Sequence, residues 1–123
     1  MNMDMAKQTI VRAIELNPNN FNAYLNLGVA MSQAGDKAED IISTDSKGET
    51  AAINNMADDI TIGKLKMFTG HNYLKLDKKN EAKAKYDEAK PYFEKNKTNS
   101  IKEVADFANR WLQELEDHYK RLE

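Results

Sequence analysis

Two histidines, His71 and His118, together with 20 acidic residues and no cysteine, are the groups from which this chain of 123 residues would have to assemble a catalytic or metal site. His71 has the chemistry of a ligand or an acid–base group, but such a site needs convergent partners. The sequence places no cysteine near it and puts His118 far away in the last helix, so His71 reads as a groove or surface histidine. Asp45-Ser46-Lys47-Gly48-Glu49, with Asp58 and Asp59 beyond it, has carboxylates suited to a cation loop. Lys47 stands where such a loop needs an oxygen ligand, however, and the terminal glutamate spacing is missing. That stretch reads as a solvated loop followed by a helix cap. Lys75, Lys78, Lys79, Lys83, Lys85 and Lys90 are interleaved with acids, the pattern of a solvated helix face rather than a phosphate site. An enzyme would require paired acid–base groups in a pocket, and no motif supplies them. No catalytic residue, metal or cofactor is expected.

Composition narrows the partners. The net charge of −2, spread evenly along the chain, gives no basic stripe to neutralise a phosphate backbone, so nucleic acid is not expected. The absence of cysteine excludes disulfides and thiolate chemistry and leaves the redox compartment open. Met1 to Met5 has no positive n-region or apolar core of a signal peptide, and no run approaches the ~20 apolar residues that span a bilayer. A cytoplasmic protein with no membrane insertion is the simple expectation; the alternative is an excised piece of an exported chain. With 41% hydrophobic residues the chain has enough apolar surface to fold, and its length suits a single domain over 1–123.

The elements that must position these residues are helical. Two prolines and five glycines fall between segments of helical period. Ala6, Ile10, Ala13 and Ile14 mark a helix from Met5 to Leu16, stopped by Asn17-Pro18. Asn20 caps a second, with Ala23, Tyr24, Leu27, Met31 and Ala34 on its stripe and Gly35 at its C-terminal cap. Ser43 to Gly48 is polar and turn-rich and is expected to be a surface loop, with helix resuming at a capping box formed by Ser46 and Glu49. A break is expected near Asp59 to Gly63. Leu65 to Leu76 carries a further helix to a turn at Asp77 to Asn80. Ala82, Tyr86, Ala89 and Phe93 form another, which Pro91 kinks or ends within a turn. Asn99 or Ser100 caps the last and best-patterned helix, whose Trp111 and Tyr119 share one face. That face reads as core packing of a cap on the preceding hairpin, the functional alternative being self-association.

Serial helical hairpins call for a search for repeats. Tyr24-x2-Leu27-Gly28-x2-Met31 matches the W-x2-L-G-x2-Y half of the tetratricopeptide pattern, and Ala6-x3-Ile10-x2-Ala13-x4-Pro18 has the spacing of its other half. The chain therefore resembles the tetratricopeptide repeat family, entered part-way through a repeat. A second copy runs through Gly70-x2-Tyr73 and Ala82-x3-Tyr86-x2-Ala89, with Thr69 and Lys66 replacing apolar residues; an alternative register uses Ala89-x3-Phe93. Gly28 and Gly70 are 42 positions apart. Against a period of about 34, the middle repeat then holds roughly eight extra residues, expected around Ser43 to Gly48.

The resemblance implies an all-α solenoid, a right-handed superhelix of hairpins closed by a C-terminal capping helix, whose concave groove receives a protein or peptide partner. Carried onto this chain, the groove-facing positions are Asn22, Leu25, Asn26, Val29, Ser32 and Gln33 in one repeat, and Lys64, Met67, Phe68, His71 and Lys75 in the next. Asn26 and Lys64 fit the pattern of family members that clamp a C-terminal carboxylate. Phe68 stands where a second basic residue belongs, which argues against such a clamp. Two functions follow: a scaffold or adaptor module binding a partner's peptide or helix, or a self-assembling protein, a homo-oligomer stacking through an apolar edge at Ile10 and Ile14.

Overall fold

The computed structural model describes residues 3–123. It contains α1 (Met3–Leu16), α2 (Phe21–Ala34), α3 (Ala38–Asn54), α4 (Asp59–Lys75), α5 (Lys79–Glu94) and α6 (Lys102–Lys120), with no strand among the described residues. The expectation drawn at Met1 and Asn2, that no leader begins there, lies outside the described residues. Each helix packs on the next in order, and α6 also reaches back to α4. The result is the all-α array of helical hairpins that the periodicity implied.

Helix boundaries follow from capping. The Asn20 side chain accepts a hydrogen bond from the Ala23 amide at 3.1 Å and opens α2. Gly35 closes it at φ 77°, which lets the Asp36 amide donate back to the Met31 carbonyl at 2.9 Å. The same closure recurs at two residues that are not glycine. Met56 at φ 55° brings the Ala57 amide to the Ala52 carbonyl at 2.9 Å, and Asp77 at φ 59° brings the Lys78 amide to the Tyr73 carbonyl at 3.0 Å.

The middle of the chain departs from expectation. Ser43 to Gly48 is no loop: α3 runs through it unbroken, and the Ser46 and Glu49 pair lies inside the helix. The inward ridge is Ile41, Asp45, Gly48 and Ala52, at helical spacing and buried. Outside that ridge the hydroxyls of Thr44 and Thr50 donate to the carbonyls four residues back, at 3.1 Å each. The break expected at Asp59 to Gly63 falls earlier, at residues 55–58. There the Asp58 carboxylate accepts from both the amide and the hydroxyl of Thr61 at 2.9 Å and starts α4. The extra spacing between Gly28 and Gly70 is therefore no inserted loop; it arises from a long α3 and an α4 that begins a turn earlier relative to its glycine than α2 does.

Pro91 lies inside α5, which ends within a turn of it, as expected. The cap of α6 is Ile101 rather than Asn99 or Ser100; the Asn99 side chain instead accepts from the Ile101 amide at 2.8 Å. One core cluster joins Met67, Ala82, Tyr86, Ala89, Phe93 and Leu115, and a second joins Leu25, Ala52, Ile62 and Leu65, with Phe68 packed against both. Trp111 and Tyr119 pack on the first cluster, so their shared face is core packing against α4 and α5.

Polar residues also tie α3, α4 and α5 together. Lys66, 6% exposed, donates to Glu49 at 2.5 Å and to Glu88 at 2.9 Å, and Lys85 pairs with the same two carboxylates at 3.3 and 3.6 Å. Burial pulls the Lys66 ammonium down, but its hydrogen bonds to Glu49 and Glu88 outweigh that and hold it above the usual lysine range.

Candidate functional site

The positions assigned to a groove divide into three groups. Asn22, Asn26, Val29, Ser32 and Gln33 are exposed along one face of α2. Leu25 (8% exposed) and Met67 (1%) are built into the two core clusters, so the expectation that they meet a partner is corrected by their burial. On α4, the face holding Lys64, Phe68 and His71 is covered by α6. The Phe68 ring meets the Trp111 ring edge-on at 6.0 Å, the Lys64 ammonium sits 4.9 Å from the Trp111 centroid, and the His71 and His118 rings lie 5.1 Å apart. The two histidines are thus neighbours and not remote, because α6 folds back across α4. Lys75, at the end of α4, is exposed.

Between α2, α3, α4 and α6 lies a cavity of about 280 Å³. Val29, Ile41 and Phe68 form apolar wall, Ser32 and Gln33 stand on its α2 side, and Asp45, His71, Asn72 and His118 complete the lining. Beside it equivalent hairpins differ. In the α4–α5 hairpin Gly70 is covered by Tyr86, whose ring lies 2.6 Å from where a Cβ on Gly70 would stand. In the α2–α3 hairpin Gly28 is covered by the Asp45 carboxylate, whose Oδ1 lies closest to the corresponding point. A four-atom side chain thus stands where the other hairpin has a phenol ring, and both Gly28 and Asp45 line the cavity.

Four side-chain atoms around it have no hydrogen-bond partner within the protein: Asp45 Oδ1, His71 Nδ1, Asn72 Oδ1 and His118 Nδ1. Asp45 is 1% exposed and Asn72 3%, so each orphan acceptor is costly to leave unmet, about 1–3 kcal/mol. The Asn72 amide is oriented by its Nδ2, which donates to the Phe68 carbonyl at 2.9 Å and leaves Oδ1 as the free end. Burial, and then the charge of Glu49 one turn along α3, pushes the Asp45 carboxyl up to about 7. Burial lowers His71 to about 4, helped by the charges of His118, Lys75 and Arg121, and burial with Arg121 lowers His118, so both imidazoles are neutral near pH 7.

The hollow between α5 and α6 is larger, about 770 Å³, but its Asp87 accepts from the Tyr119 hydroxyl at 2.6 Å and its Lys90 pairs with Glu94 at 3.7 Å. None of the orphan buried atoms lies in its lining. Asp45, Asn72 and His118 were not among the sequence-derived site residues. A signal existed: Ile41-x3-Asp45-x2-Gly48 repeats the spacing of Ala82-x3-Tyr86-x2-Ala89, with a carboxylate at the aromatic position.

Residues 9–41 match the family model described as Tetratricopeptide repeat, a segment that takes in the second half of α1, all of α2 and the start of α3. No curated protein matches the chain.

Proposed function

We propose, for a chain whose residues 9–41 match the tetratricopeptide repeat model, a non-catalytic role as an interaction module that holds a segment of a partner protein against the open face of α2. Repeats of this kind generally mediate protein–protein interaction, and the observation that carries the finer reading is the division of the concave side. The α4 half is covered by the chain's own α6 through Trp111 and His118, while Asn22, Asn26, Val29, Ser32 and Gln33 stand exposed in a row on α2. Amides and a hydroxyl in that row suit hydrogen bonding to an extended backbone, and Val29 offers apolar contact beside them. Lys64 is engaged with Trp111 rather than free, which argues against a carboxylate clamp.

Peptides selected from a displayed library against the intact chain provide the test. Asn26→Ala combined with Gln33→Ala removes two exposed side chains without touching the core, so helicity and melting temperature should stay unchanged while peptide affinity falls by about tenfold. Undiminished binding by the double variant rejects the α2 face as the site.

A second reading, stacking of α1 on another copy, draws support from Met5 (65% exposed), Val11 (41%) and Leu16 (72%) on that helix. Light scattering over a concentration series tests it: a dimer or larger species supports stacking, and a constant monomer mass sinks it.

A further inference from the structure

We propose that the cavity between α2, α3, α4 and α6 binds a protonated primary amine carried on a short alkyl chain, held by Asp45 Oδ1 and Asn72 Oδ1. The amine is either a lysine side chain of the partner segment or a free alkylamine. The lysine form rests on the peptide-binding reading above.

Three observations converge. First, Asp45 and Asn72 are each more than nine-tenths buried, line the cavity and present an oxygen that the protein leaves unpartnered. Asn72 Oδ1 carries no hydrogen, and the Asn72 amide nitrogen is already committed to the Phe68 carbonyl. Once Asp45 is ionised both oxygens only accept, and an ammonium is the compact group with three donors and no acceptor. Second, the walls next to these oxygens are Val29, Ile41 and Phe68, which suit an alkyl stem and not a fully hydrated ion. No group of three His, Cys, Asp or Glu able to hold a metal occurs among the described residues, so a divalent cation has too few ligands here. Third, the charges acting on the cavity's titratable groups differ in sign. Glu49 acts on Asp45, whereas Lys75 and Arg121 act on His71 and Arg121 acts on His118. An ammonium is therefore better placed against Asp45 than against the imidazoles.

The test uses the intact chain at pH 8, where amide and side-chain resonances are followed by NMR during titration with n-butylammonium, n-butanol and butyrate at constant ionic strength. Saturable shifts at the Gly28 amide and the Asn72 side-chain amide are expected with n-butylammonium. Binding should be at least about tenfold weaker for n-butanol and for n-butylammonium on Asp45→Asn, the loss expected when a charge-assisted hydrogen bond is removed. No saturable shift, or equal shifts with n-butanol or butyrate, overturns the proposal, and this ligand comparison on the unmodified chain decides it even if Asp45→Asn misfolds.

Selected peptides then separate the sources. A lysine-to-norleucine exchange in the peptide that weakens binding tenfold to the unmodified chain, but not to Asp45→Asn, assigns the amine to the partner. Equal binding of both peptides alongside persistent n-butylammonium binding assigns it to a free alkylamine. If no peptide binds while n-butylammonium still does, the groove reading fails and the amine site stands.

Discussion

At Asp45 a carboxyl group is buried where the equivalent hairpin has a phenol ring, and the cost of charging it there becomes a pH dependence. The folded state keeps the Asp45 proton up to about 7, whereas an unfolded chain releases it near 3.8. Its contribution is fully present below the lower value and is lost as pH rises between the two, at about 1.4 kcal/mol per pH unit. His71 has the opposite sign: held down to about 4 from 6.5, it adds stability as pH rises across that interval. Urea unfolding from pH 4 to pH 8 should show Asp45→Asn gaining on the unmodified chain by a few kcal/mol at pH 8, with the gain fading toward pH 4. Parallel curves for the two proteins would remove Asp45 as the titrating group. Lys66 makes a second prediction at this scale. Because it is buried against Glu49, Lys66→Ala leaves a carboxylate with weakened pairing and should cost about 3 kcal/mol, whereas Glu88→Ala removes a half-exposed partner and should cost under about 1 kcal/mol. Denaturant midpoints compare the two directly.

The helices owe their ends to hydrogen bonds that composition only partly advertises. Gly35 announces a left-handed closure because glycine adopts positive φ without penalty, and the end of α2 was legible for that reason. Met56 performs the same closure at φ 55° with a side chain that is 91% exposed, so strain is accepted there with no packing in return. Met56→Gly should therefore raise stability by about 1 kcal/mol in a thermal melt, the cost of a left-handed conformation for a residue with a Cβ. An unchanged or lowered melting temperature would mean that the Met56 side chain contributes contacts that offset the strain. Without a glycine at Met56, the break before α4 carries no such mark in the sequence.

Across the whole molecule α6 acts as both cap and occupant. Its hydrophobic face closes the array, as its patterning implied, and the same face lies over Lys64, Phe68 and His71, which would otherwise form half of the groove. Trp111 is the largest side chain in that contact and is half-buried, so Trp111→Ala should destabilise the chain by about 2 kcal/mol, less than for a fully buried tryptophan. In the same variant, hydrogen exchange in the middle of α4 should quicken relative to α2. Uniform change across both helices would show that α6 supports the array as a whole rather than shielding α4.

The amino-acid sequence by itself determined the helical class, the repeat over α1 and α2, the caps at Asn20 and Gly35 and the apolar stripe of α6. These features are local: periodicity and capping involve residues within a few turns of one another. Tertiary contacts were needed to show that α3 runs unbroken through Ser43 to Gly48, because two of that helix's buried positions, Asp45 and Glu49, are carboxylates. Asp45 gains its place from Gly28 on another helix, and Glu49 from Lys66. Only the tertiary structure decided that Leu25 and Met67 belong to the core and that His71 meets His118. The contact between the histidines joins residues 47 positions apart, and nothing in either helix's own pattern encodes the angle at which α6 folds back over α4.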